Sequence, residues 1–217
     1  AASDVYKRQE LMNSDLPVVT IDYVHHNCTA VSSNNIQGME DLVKYIYGQG
    51  HRKIAYIHGQ QASYVTKDRL ASFYRTVDEL GLKIPDEYIR TADYLETREA
   101  AKQTKELLNL EDPPTCIIYP DDTSLIGGRN VIIEMGLRIP RDISIAGYDG
   151  TRMSQLLHPQ LTTIRQDTEL IGSEAAKRLI GSIEKPRTTL VERVVIEGIL
   201  VCLLYTSPSP RDRQKSR

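Results

Sequence analysis

The sequence predicts an α/β fold built on parallel sheets, because short β-branched runs alternate with amphipathic helices through most of its 217 residues. Two further observations support that class. Helical stripes close on glycine at Gly48, Gly81 and Gly136, and strand-like runs lead into acidic residues at Asp22 and Asp149. The first strand is residues 16–22, a β-branched run bounded by a polar turn. Asn34 or Asn35 then caps a helix over 35–47 with Ile36, Met39, Leu42, Val43 and Ile46 on one face. A strand over 53–58 precedes a helix over 67–80 whose stripe is Leu70, Phe73, Tyr74, Val77 and Leu80. Pro85 opens a connector to a short strand at 88–91, followed by a helix over 97–109 with Ala100, Ala101, Thr104, Leu107 and Leu108 inward. Strand 115–119, helix 123–135 and strand 143–147 continue the alternation. After Thr162-Thr163-Ile164, Asp167 caps a last helix bearing Leu170, Ile171, Ala175, Leu179, Ile180 and Ile183, and 190–196 reads as a final strand.

Composition bounds the function. A chain with 40% hydrophobic residues can bury a substantial core, and a net charge of −2 gives no basic excess for gripping a phosphate backbone. Cys28, Cys116 and Cys202 are odd in number and far apart, which fits neither a disulfide framework nor a metal knuckle and points to a reducing cytoplasm. The longest apolar run, 199–205, is far below the roughly 20 residues of a membrane-spanning helix. His25-His26-Asn27-Cys28 supplies at most three crowded ligands without a distant fourth, so no metal is expected. Gly127-Gly128 matches the spacing of neither a phosphate loop nor a dinucleotide fingerprint, and no cofactor is implied. Asp121 and Asp122 are adjacent and diverge at a helix start, so they do not face each other across the gap that a hydrolase requires. No nucleophile, base and oxyanion set is legible, and an enzyme is not expected.

The most informative stretch is Leu137-Arg138-Ile139-Pro140-Arg141-Asp142-Ile143-Ser144-Ile145-Ala146-Gly147-Tyr148-Asp149-Gly150, followed by His158-Pro159-Gln160-Leu161-Thr162-Thr163-Ile164-Arg165-Gln166-Asp167. It reads as a helix end, a short buried strand with an acid at its carboxyl end, a turn and a second strand. Small ligands bind at that end of open α/β sheets. Arg69 lies just inside the helix after strand 53–58, where a guanidinium can fork onto two hydroxyls or a carboxylate. Tyr94 offers an aromatic face suited to a sugar ring or a base.

These runs resemble the effector-binding domain of the lactose-repressor (LacI/GalR) family of bacterial transcription regulators, over about residues 10–201. The resemblance implies two Rossmann-like lobes with parallel sheets, of the periplasmic binding protein type, closing on a small polar, carbohydrate-like effector. It places residues 10–47 and 162–183 in a first, incomplete lobe and 48–161 and 184–201 in a second. By the same resemblance Arg69 and Asp149 contact the effector, Tyr94 covers it, Asp121 faces it where the family usually has asparagine, and Ser63 and Val65 line the loop before Arg69. Arg69 opposite Asp149 is expected to keep that carboxylate ionised. Ser72 stands where the family's R-x-x-G-F pattern has glycine, and Leu125 where alanine is usual. The implied whole protein is a cytoplasmic homodimer that meets operator DNA through a helix-turn-helix headpiece, absent from this N-terminally truncated sequence. A periplasmic sugar-binding protein of a transporter is the alternative. Residues 1–9 and 202–217 read as non-native, resembling translated adapter sequence, and the Ser/Pro/Arg-rich tail has no apolar periodicity with which to join a core.

Overall fold

The computed structural model describes residues 10–11, 14, 16–157, 160–185 and 190–202, so His158, Pro159, the expected non-native stretch 1–9 and all but Cys202 of the stretch 202–217 lie outside the described residues. The chain divides into two compact units, 1–35 with 167–197, and 36–166 with 198–217.

The larger unit is a six-stranded sheet. Its strands are β3 (Ile54–His58), β4 (Ile89–Thr91), β5 (Cys116–Ile118), β6 (Ser144–Asp149), β7 (Thr162–Arg165) and β9 (Ile199–Val201), ordered β4-β3-β5-β6-β7-β9. The pairings are parallel, as expected, except β7 with the edge strand β9, which is antiparallel. Period-two alternation sends Ile54 and Tyr56 to one face and Ala55 and Ile57 to the other. The first face packs against α1 (Asn35–Gly48) and α2 (Tyr64–Glu79) through Met39, Leu42, Val43, Ile46, Phe73 and Val77. The second packs against α3 (Thr97–Leu108) and α4 (Asp122–Glu134) through Ala100, Leu107, Leu125 and Ile132. Each large aliphatic side chain so buried stabilises the fold by about 1.5–3 kcal/mol relative to exposure. Helices α3 and α4 approach so closely that a Cβ on Gly127 would lie 2.1 Å from the Thr97 carbonyl oxygen, so the glycine is required by packing.

The smaller unit is a parallel sheet of β1 (Val19–Ile21), β2 (Thr29–Ser33) and β8 (Arg193–Ile196), with α6 (Thr168–Glu184) on it. Val31, Ile171 and Ala175 form its small core, with Val19, Val194 and Ile196 packed around them. Asp167 caps α6 by accepting the Leu170 amide at 2.9 Å, as expected. Leu170, Ile180 and Ile183, expected inward, are exposed, because so narrow a sheet covers only one strip of the helix.

The lobe boundaries differ from those expected. Helix α1 belongs to the six-stranded unit, since its apolar stripe buries against Tyr56, Phe73 and Tyr148. Strand β7 also belongs there, because it continues the sheet from β6. The run expected as the closing strand of the second lobe pairs instead with β2, as β8, and the closing strand is β9. Helix α2 starts three residues earlier than expected and turns Tyr74 outward. Strand β2 and the short helix α5 (Arg152–Leu156) are additions to the expected elements. Among the described residues no helix is long and apolar enough to cross a membrane.

Candidate functional site

The parallel strands β3, β4, β5, β6 and β7 end at one edge of the large sheet, and the chain leaves them through His58-Gly59, Ala92-Asp93-Tyr94, Tyr119-Pro120-Asp121, Asp149-Gly150 and Gln166. Arg69, Asp149, Asp121 and Tyr94 are all carried by these exits or by the helix following one of them.

Arg69 lies on α2 and is 3% exposed. Its guanidinium carbon stacks 3.4 Å from the centroid of the Tyr148 ring, its Nη1 donates to the Pro120 carbonyl at 2.8 Å, and its Nη2 lies 3.9 Å from Asp149 Oδ1. Stacking on an aromatic face while donating in plane is the particular ability of a guanidinium, which an ammonium lacks. Ser72 is buried and donates its hydroxyl to the Ile36 carbonyl at 2.7 Å, so the serine ties α2 to α1.

Asp149 closes β6 at φ +103, a left-handed conformation that is unusual and strained for a residue with a side chain. Gln166 holds it: the side-chain amide donates to Oδ1 at 2.6 Å and the backbone amide donates to the Asp149 carbonyl at 3.1 Å. Burial pushes the Asp149 carboxyl up, to about 6, against the pull of Arg69 and the Gln166 amide, and Asp122 and Asp121 add to the rise. Arg69, expected to keep Asp149 ionised, pulls in that direction; desolvation outweighs it and lifts the carboxyl above its ordinary range, and at about 6 the group is still mostly ionised at neutral pH. A strained backbone and a raised carboxyl in one residue are features that mark functional sites.

Asp121 is 1% exposed and does not face solvent. It is the N-cap of α4: Oδ1 accepts the Ser124 amide at 2.7 Å, and Oδ2 accepts the Ser124 hydroxyl at 2.8 Å and the Leu95 amide at 2.9 Å. The ligand-facing role implied for it thus gives way to a structural one, which ties the Tyr94 loop to α4. Asp122 is likewise buried, accepting from the Thr163 hydroxyl and the Thr151 amide, both at 2.7 Å, and desolvation raises its carboxyl against those donors. Leu125 is fully buried behind it, close over Gly147.

Tyr94 is half-buried. Its hydroxyl shares a 2.8 Å hydrogen bond with Thr66 Oγ1, and its ring lies on Gly59, where a Cβ would come within 2.2 Å of it. Ser63 is the N-cap of α2 without a side-chain cap bond, and it and Val65 are partly exposed in the first turn. The structure therefore brings Arg69 and Asp149 together, puts Tyr94 and the start of α2 at the same sheet edge, and withdraws Asp121 into a cap. Sequence reasoning missed Tyr148, Gln166 and Thr66. The first two lie inside the motif itself, but nothing in a linear run says that one stacks on Arg69 and the other orients Asp149. Among the described residues no group of three or more His, Cys, Asp or Glu side chains could hold a metal ion.

A family model described as periplasmic binding protein-like domain matches residues 43–201. The chain therefore belongs to that family. Its relatives within the family are LacI-type transcription regulators, and the part it matches is their ligand-binding domain. The HTH-type transcriptional repressor PurR of Aliivibrio salmonicida is 32% identical over 79% of this chain and 52% of its own length. A LacI transcriptional regulator from a Rhodococcus species superimposes with a TM-score of 0.84 at 26% identity, covering 94% of this chain and 74% of that one. A LacI-family regulatory protein of Chloroflexus aggregans gives 0.81 at 27% identity, covering 91% and 71%. This chain spans about half the length of the curated relatives it matches. Those relatives are repressors, not enzymes, and they favour the regulator over the transport-protein alternative.

Proposed function

We propose that this chain is the effector-sensing domain of a LacI-type DNA-binding repressor, and that it takes a small polyhydroxy ligand at the carboxyl edge of the six-stranded sheet. The observation that carries the reading is the Arg69–Asp149 pair, in which a strained, partly buried carboxylate faces a stacked guanidinium where parallel strands end. Asp149 accepts from ligand hydroxyls, Arg69 orients the carboxylate, Tyr94 covers an apolar ring face, and Ser63 and Val65 line the approach. In the whole protein, ligand binding shifts a conformational equilibrium that a helix-turn-helix headpiece reads out on operator DNA, in a cytoplasmic homodimer. No cofactor takes part.

Calorimetric titration of the chain with a panel of pentoses, hexoses and their derivatives tests this. Losing a charged hydrogen bond weakens binding by roughly 10- to 150-fold, the effect expected for Asp149→Ala. Unchanged affinity in both Asp149→Ala and Arg69→Lys contradicts the assignment.

A further inference from the structure

We infer that this site selects uncharged or amine-bearing polyhydroxy ligands over phosphorylated or acidic ones, and that Asp149 makes the choice; the inference rests on the reading of the site given above. Arg69 is the natural receptor for an anion, yet here it is committed to the protein. One face is covered by Tyr148 at 3.4 Å, Nη1 is used by the Pro120 carbonyl, Nη2 points at Asp149, and the side chain is almost wholly buried. Asp149 has 30% of its side chain open to solvent, so the accessible polar group of the pair is the carboxylate.

The surroundings reinforce that sign. The charged groups felt at Asp149 are Arg69, Asp122 and Asp121, one cation against two further carboxylates. Asp122 and Asp121 accept from donors of Thr163, Thr151, Ser124 and Leu95, so acceptor oxygens crowd this end of the sheet. Arg165 and Arg152 lie nearby but are exposed, and water and salt screen them. A ligand hydroxyl or ammonium can donate to Asp149. A phosphate or carboxylate placed there meets a like charge and finds the guanidinium already engaged. Like-charge juxtaposition of this kind is a common device for rejecting a wrong partner.

The test is calorimetry on the full chain at pH 7.5 with matched probes: glucose, glucosamine, glucose 6-phosphate and glucuronate, and ribose with ribose 5-phosphate. The expected result is that at least one uncharged or amino sugar binds roughly 100-fold more tightly than its anionic counterpart. Asp149→Asn, which keeps the acceptor for Gln166, should reduce that gap to about tenfold or less. Lowering the pH to 5 on the unmodified chain should narrow the gap in the same direction. Equal or tighter binding of the phosphate or the acid, or a gap unchanged in Asp149→Asn, overturns the inference and leaves the site reading intact. Failure of every probe to bind overturns the polyhydroxy reading itself, and this inference with it.

Discussion

Arg69→Ala should unfold the larger unit at a temperature about 10 °C lower, a loss of about 3–5 kcal/mol, as well as weakening ligand binding. The residue is 3% exposed and serves three neighbours, so the truncation leaves the Pro120 carbonyl without its donor, exposes one face of Tyr148 to a cavity and removes the cation opposite Asp149. Arg69→Lys restores the charge but not the stack and the in-plane donor, and should recover less than half of the loss. Thermal denaturation followed by circular dichroism measures this. An Arg69→Ala variant as stable as the parent would show that the guanidinium serves the ligand only.

Asp149→Asn should do the opposite to stability. The folded protein holds the Asp149 proton more tightly than the unfolded chain, with a carboxyl raised from 3.8 to about 6 by burial. Its contribution is therefore fully present below about pH 4, declines as the pH rises from about 4 to 6, and stays low above that. Asparagine cannot ionise and escapes the decline. At 1.36 kcal/mol per pH unit the full effect is about 3 kcal/mol, which the side chain's partial exposure reduces to about 1–2 kcal/mol at pH 7.5. Asparagine also tolerates the left-handed backbone and keeps an acceptor for the Gln166 amide. Urea titrations of both proteins from pH 4 to 8 should give no stability difference at pH 4 and a gap in favour of the variant that grows to a plateau above pH 6. A pH-independent difference, or one favouring aspartate at neutral pH, contradicts this account of the carboxylate. Stability gained together with ligand affinity lost is the pattern of a residue kept for function.

Much of this arrangement is legible in the residues themselves. Alternation of strands and helices gives the α/β class, and the Gly147-Tyr148-Asp149 run and Arg69 on its helix put the pair at the carboxyl ends of strands. What periodicity cannot say is which sheet an amphipathic helix covers. The stripe of α1 is equally apolar whichever unit it joins, so its place in the larger unit follows only from contacts with Tyr56, Phe73 and Tyr148. Strand β2 is hidden because Thr29-Ala30-Val31-Ser32-Ser33 carries a single large aliphatic residue, and its strand character comes from parallel neighbours on both sides. The capping by Asp121 was within reach, since an aspartate immediately before a helix is a common N-cap. The raised carboxyl of Asp149 was not, because it depends on burial and on Asp121 and Asp122 beside it.

The central claim is that a ligand binds where the parallel strands of the six-stranded sheet end. Hydrogen exchange read by mass spectrometry, with and without a saturating concentration of the tightest-binding sugar, tests it most directly. The account predicts added protection in 59–66, 92–96, 119–123 and 149–151, and none at the opposite edge in 51–53, 113–115 and 142–143. Protection confined to that opposite edge, or a bound ligand that leaves 59–66 and 149–151 unchanged, would contradict it.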